Sequence, residues 1–381
     1  MKRFASGFNV VEVKTVDEFG VEDLGDEFEF PYELFVIDCD TAVFRASKFI
    51  QEDYIIVKHN KSGKEKEFRN KTEFYGHFKK KSGGWLADVN KELTEKGKPT
   101  IPVEDFTITE HERLIDEIGD HLEAGIRKFD EFIGSVKKAR LAPTYRLCIG
   151  GSSNFRYDLA ETLPYKGERP SKPIMFLEIK EAIISKYKSK VHLVDGKECD
   201  DELSVYGKEN VEEFRKSSKW KYVLGYIDKD LKMIYSPSIN IDKMDEGVVL
   251  RTPLECAKCY ATQCLIGDKS VDNIAGLPNL TEELRTKYNI RKGKSLGATT
   301  ALNLLEPCET TKEVFERVVE AYKSYYGVEL FEFTNYKGET FECDWLDRLN
   351  EVAMLVYMNP LDNPLDYDIR QTLDKLGVAY D

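Results

Sequence analysis

The sequence predicts an α/β protein: a mostly parallel central sheet with helices on both faces, joined to a helical half and interrupted by an inserted β-hairpin. Three observations predict it. Short, nearly continuous apolar segments alternate with helical patterns, as they do in parallel strands buried on both faces. The stretch from about 54 to 100 breaks that rhythm. After Asp230 the strand pattern fades and helices dominate.

In chain order, the strands are "LFVID" (34–38), "YRLCI" (145–149), "VHLVD" (191–195) and "YVLGYID" (222–228), each short and rich in apolar, β-branched or aromatic residues. "YIIVKHNKSGKEKEFRNKTEF" reads as two strands about an Asn60 to Gly63 turn, followed by the basic "HFKKKSGGW". That lysine-rich insertion is either a solvated excursion or a DNA-contacting arm. Helical patterns follow over 110–139 and in "PIMFLEIKEAIISKYK", where Pro173 suits a first helical turn. Further helices are expected over 253–266 and 297–306, from 311 and from 344. The division expected is an α/β domain over 1–250 and a helical region over 251–381.

A chain of 381 residues can bury a large core, and no apolar run approaches the roughly 18 residues that span a bilayer. The opening "MKRFASGFNVVEVKTV" lacks an apolar signal core, so the expected compartment is the cytoplasm. The eight cysteines are scattered, which suits reduced core thiols. "ECAKCYATQC" lacks the second pair that a zinc site needs, and its spacing also fits helix packing. A net charge of −13 argues against nonspecific coating of nucleic acid, but not against nucleic acid as a substrate.

The chemistry gathers at the carboxyl ends of the strands, where open parallel sheets bind ligands. "LFVIDCD" ends in Asp38 and Asp40, "VHLVDGKECDD" in Asp195, Glu198, Asp200 and Asp201, and "YVLGYIDKD" in Asp228 and Asp230. Such a rim repels itself, and hard divalent cations are the natural compensation. Carboxylates without histidines favour Mg²⁺, with Mn²⁺ able to substitute. Two ions about 3.5–4 Å apart activate water and stabilise the leaving oxygen of a phosphodiester. For Asp195 or Asp201 alone, a helix-capping role is an equal alternative.

Two other segments complete the set. "SSNFRYDLAETLPYKGERPSKP" (152–173) interleaves Arg156, Lys166, Arg169 and Lys172 with Phe155, Tyr157 and Tyr165, a mix suited to gripping single-stranded backbone. "CLIGDKSVDNIAGLP" carries Asp268, Asp272 and Gly276, and the segment after it adds Lys287, Arg291, Lys292 and Lys294 near Gly297. Glycine turns between helices can present backbone groups to a DNA phosphate.

"VIDCD", "YKGERP", "VDGKECDD", "GYIDKD" and "GDKSVDNIAG" stand in the order and approximate spacing of the structure-specific 5' nucleases, and over roughly residues 33–306 the chain resembles that family, above all the phage 5'-3' exonucleases. The resemblance implies a PIN-like sheet, a helical arch over a two-metal site and a helix-three-turn-helix element that holds duplex DNA. It assigns Asp38, Glu198 and Asp200 to the first metal and Asp228, Asp230 and Asp272 to the second. Asp201 is a nearby acid, and a longer gap leaves Asp268 and Asp272 both open as ligands. Lys166 and Arg169 match the residues that steer the scissile phosphate, and Gly276 and Gly297 match the DNA-holding turns.

The implied activity is a metal-dependent 5'-3' exonuclease on duplex DNA with a free 5' end, nick or flap, with RNA removal from RNA-DNA hybrids, in phage replication or host-DNA breakdown. Three departures stand out. Gly151 replaces a first-site aspartate, and whether Asp40 compensates is open. The Asp268 to Asp272 gap is one residue longer than usual, and Ser295 and Thr299 replace a glycine and a lysine of a DNA-holding turn. The alternatives are a catalytically weakened DNA-end-binding protein, suggested by Gly151 and the altered turn, and a PIN-type ribonuclease, which "GDKSVDNIAG" and the helical half argue against.

Overall fold

The computed structural model describes residues 29–76 and 83–380. The stretch read for a signal and the lysines within 77–82 lie outside the described residues.

A five-stranded, wholly parallel sheet runs in the order Val191–Val194, Tyr145–Gly150, Leu34–Asp38, Tyr222–Tyr226, Ser238–Asn240. Helices flank it, and Cys199–Ser217 packs directly on its strands. The strands read as apolar runs because they are buried: Val36, Ile37, Leu147, Cys148, Ile149 and Val223 are fully enclosed. In chain order the sheet reads 3-2-1-4-5, so its direction of growth reverses between Leu34–Asp38 and Tyr222–Tyr226. A crevice opens at such a reversal, beyond the carboxyl ends of those two strands. The fifth strand, only three residues long, carries too short a pattern to be seen in the sequence.

One expected helix is corrected. Residues 110–114 belong to a strand, Phe106–Leu114, which pairs antiparallel with Gln51–His59 along its whole length, and the helix begins only at His121. Pairing with a long neighbour overrides a helical pattern of charges. Asp120 accepts the Glu123 N–H and so helps to set the new start.

The insertion forms the hairpin Gln51–His59 and Glu65–Phe68, with Phe106–Leu114 as the third strand. Ile55, Val57, Phe68, Phe74 and Leu86 give it a small core of its own.

The chain divides into two compact units. One comprises 29–41, 134–171 and 187–380; the other comprises 42–133 and 172–186. Sheet and helical half share the first unit, where Pro253–Ile266, Ala298–Leu305, Thr311–Tyr326, Trp345–Val356 and Ile369–Leu376 pack around Cys264, Leu304, Phe315, Tyr322 and Leu349.

The segment 152–173 lies mostly in the first unit. Through residue 171 that segment has one helical turn, Arg156–Leu159, and its Ala160 and Tyr165 are buried in the helical core.

Candidate metal centre

Asp38 ends the central strand and is only 9% exposed. One of its carboxylate oxygens accepts the Asp40 N–H at 3.0 Å. Burial first, then the charges of Asp40, Asp228 and Glu198, push its carboxyl up to about 7. Asp228, just past the neighbouring strand, is exposed and caps the turn Lys229–Met233 by accepting the Asp230 N–H. Asp230 is held from the helical half, where Gln263 Nε2 donates to it at 2.5 Å.

Three of the four acids of "VHLVDGKECDD" are held by partners of their own. Asp195 accepts from the Ser153 hydroxyl at 2.7 Å and from the Ser152 and Ser153 N–H groups, and these bonds hold its carboxyl below the usual range. Asp201 forms a buried ion pair with Arg156. Glu198 is the N-cap of the Cys199–Ser217 helix, in a reciprocal capping box with Asp201. Burial raises Glu198, but Arg156 and Lys166 outweigh it and the net direction is down.

Asp200 has no such support. Among the described residues its Oδ1 is buried without a hydrogen-bond partner, and burial followed by the Asp38 charge pushes the carboxyl well up. Leaving a buried acceptor unmet costs about 1–3 kcal/mol. Either a proton or a cation must answer Asp38 and Asp200.

Opposite them, Lys166 turns through a left-handed φ of 55° and its ammonium bonds Glu198 and lies 3.9 Å from Asp272. Arg169 bonds Asp272 at 2.5 Å and the Val271 carbonyl at 3.2 Å. Tyr165 donates toward Glu198 and Asp272, and Asn154 donates to Glu198 at 2.8 Å. Asp268 accepts the Val271 N–H and the Ser270 hydroxyl. Lys166 N–H bonds the Asp272 carbonyl, which ties the 164–169 loop to the 267–276 loop.

The result is a pocket of about 50 Å³ lined by Glu198, Asp200, Asp228, Asp230, Asp268 and Asp272, with Lys166 and Arg169 on its wall. The donor set fits a hard divalent cation: the acids supply oxygen alone, and the Asp200 oxygen is unmet.

Not every expected site residue gathers there as expected. Asp201 is committed to Arg156, and Arg156 is fully enclosed, so it is a structural cation and not a DNA grip. Tyr165, at 4% exposure, offers no stacking face; burial and the Glu198 charge push its phenol up and keep it a donor. Gly276 is buried, with the Ile266 and Leu265 backbone passing beside it. Lys172 lies in the second unit, its ammonium over the Phe176 ring. Lys292, Lys294 and Gly297 are exposed on the helical half, with Lys292 paired to Glu282. Asn154 and Gln263 were missed, because a single amide far along the chain gives no signal of the carboxylate it will hold.

Neither a family model nor a curated protein matches this chain. Among solved structures, it is similar to a bacteriophage T5 flap endonuclease in a pseudo-enzyme-product complex with DNA and metal ions: 13% identity, TM-score 0.32, covering 61% of this chain and 90% of that one. It is also similar to the T5 5'-exonuclease with divalent zinc bound: 16% identity, TM-score 0.32, covering 62% of this chain and 91% of that one. Backbones related that loosely share only parts of their path, so function has to be argued from this chain's own side chains.

Proposed function

We propose that this chain is a divalent-metal-dependent nuclease that hydrolyses DNA phosphodiesters from duplex 5' ends, with flap cleavage and removal of RNA from RNA-DNA hybrids as companion activities. The observation that carries the reading is the pocket in which Glu198, Asp200, Asp228, Asp230 and Asp272 face Lys166 and Arg169, with the Asp200 oxygen buried and unmet. Asp38, Glu198 and Asp200 would hold one Mg²⁺, and Asp228, Asp230 and Asp272 or Asp268 a second; Mn²⁺ has the same ligand chemistry. Bound there, such ions supply an activated water and charge compensation at the leaving oxygen.

The chain's own cations do the positioning. Lys166 and Arg169 are paired with acids and stand where a phosphate oxygen would compete for them, so an entering phosphodiester exchanges carboxylate partners for phosphate partners. Exposed Lys292 and Lys294, beside Gly297, would contact duplex backbone on the helical half.

The 5'-3' polarity and the choice of ends rest on the ordered motifs of the sequence resemblance. So does the setting, a phage-infected bacterial cytoplasm with roles in replication or host-DNA breakdown. Among the described residues, no helix is long and apolar enough to cross a membrane.

The test is a nuclease assay on 5'- and 3'-labelled blunt, nicked, flapped and hybrid substrates with Mg²⁺, Mn²⁺ or chelator. Metal-dependent release of short products from the 5' label is the expected result, abolished in Asp228→Asn. Gly151 favours a second reading, a DNA-end-binding protein of weakened catalysis; retarded but uncut DNA under every metal condition would establish that one instead.

A further inference from the structure

A second cavity opens beside the metal pocket, bounded by the turn Lys229–Met233, residues 249–251 and the helices Pro253–Ile266 and Ala298–Leu305. Asp230 lines both. The cavity holds about 400 Å³, within the roughly 300–1,000 Å³ of small-molecule sites.

Its walls divide by chemistry. Met233, Val249, Leu250 and Leu302 make an apolar side, and Leu302 is left 49% exposed. Lys232, Arg251 and Lys258 bring three cations. Arg251 bonds the Ser238 hydroxyl at 3.2 Å and Lys258 the Glu306 backbone carbonyl at 2.7 Å, both neutral oxygens. Among the described residues, none of the three forms an ion pair. Two acids of the same walls are engaged elsewhere: Glu255 accepts the Thr252 N–H and hydroxyl, and Asp230 accepts from Gln263.

Gln263 adds an independent observation. It lines the cavity, is 7% exposed, and donates from Nε2 to Asp230 at 2.5 Å, a bond that fixes which end of its amide is the acceptor. That acceptor, Oε1, is buried and has no partner among the described residues. A buried polar atom in this state calls for a donor. A fitting ligand therefore combines an anion, an apolar face and an N–H or O–H.

We propose that this cavity binds a single nucleotide, its phosphate on Lys232, Arg251 and Lys258, its base on the apolar side, and one N–H or O–H donated to Gln263 Oε1. The choice of a nucleotide among such anions rests on the nuclease reading above, since Asp230 belongs to both hollows. A free 5'-monophosphate and the end nucleotide of a strand share this chemistry.

The test is titration of the chelator-treated full chain with a deoxynucleoside 5'-monophosphate, the matching deoxynucleoside, inorganic phosphate and a 5'-phosphorylated single-stranded oligonucleotide. Binding is read by calorimetry and by protection of Cys259 from alkylation. Cys259 lines the cavity and is the one cysteine of the eight that is not buried. The monophosphate is expected to bind and to protect Cys259, with deoxynucleoside and phosphate each weaker. Lys232→Ala and Arg251→Gln should each weaken it at least about tenfold, the effect of losing one charge-assisted hydrogen bond. Lys232 is exposed, so its variant should unfold at the wild-type temperature. An oligonucleotide that protects Cys259 better than the monophosphate identifies a strand end as the ligand; one that protects it less identifies the free nucleotide. Phosphate binding as tightly as the monophosphate, affinity unmoved in both variants, or Cys259 left unprotected would overturn the proposal. Asp228 lines the metal pocket and not this cavity, so Asp228→Asn should bind nucleotide as wild type does. Metal is absent throughout, so a failure here leaves the cleavage assay to judge the nuclease reading separately.

Discussion

The Arg156 guanidinium meets the Asp201 carboxylate through two hydrogen bonds, 2.6 and 2.8 Å long, and both side chains are fully enclosed. The remaining donors of Arg156 reach the Leu355 and Tyr357 carbonyls, and the Asn359 N–H bonds Asp201. The end of the Trp345–Val356 helix is thereby tied to the root of the segment that carries Lys166. Removing one partner strands a buried charge, so Arg156→Met or Asp201→Asn should destabilise the protein by about 3–5 kcal/mol in denaturant unfolding. The Arg156→Met, Asp201→Leu double variant should cost less than the sum of the single ones. Additive losses would show that the pair is not coupled.

Lys166 and Arg169 differ in exposure, 14% against 45%, and Lys166 touches two acids of the pocket. Alanine at 166 is expected to slow single-turnover cleavage of 5'-labelled duplex by about 10²–10³-fold, the effect of removing a preorganised charge. Alanine at 169 should cost less. Binding measured with Ca²⁺ in place of Mg²⁺ should weaken far less than cleavage in both; a parallel fall would make these residues mere binders.

Burial and neighbouring charges raise Asp38 to about 7 and push Asp200 well up, which fixes a pH dependence for the metal-free chain. When the folded-state pKa lies above the unfolded one, the native state favours the proton, and that stabilisation is lost as pH rises through the folded value. Chelator-treated protein should therefore lose stability as pH rises from about 4 to about 7, by roughly 4 kcal/mol from Asp38, and level off above the folded value. Asp38→Asn should flatten the slope. Added Mg²⁺ should act in the opposite sense, stabilising more at the higher pH, because its ligands must be deprotonated. A metal-free stability that is level across this range would contradict the buried pair.

Gly276 and Gly297 were both expected at DNA-holding turns, yet their surroundings differ. A Cβ at 276 would lie 2.5 Å from the Leu265 carbonyl oxygen, whereas one at 297 meets nothing within 4 Å. Gly276→Ala should cost about 1–3 kcal/mol by crowding rigid backbone, and Gly297→Ala less than about 0.5 kcal/mol. Equal thermal midpoints would show that 276 is glycine for some other reason.

The sequence by itself determined the four main strands, nearly to the residue, since buried parallel strands must be apolar along their whole length and the acids that follow mark their ends. It also showed acids recurring at successive strand ends, which the parallel sheet brings to one edge. Only the tertiary structure decided their separate fates. Asp201 is neutralised by Arg156, Glu198 by Lys166, and Asp200 by nothing among the described residues. Charge neutralisation depends on which side chain lies within about 4 Å, and partners 32 to 45 positions away leave no periodic trace. The strand at 106–114 and the boundary between the two units were hidden for the same reason: each is set by pairing and packing with distant segments, which local pattern does not record.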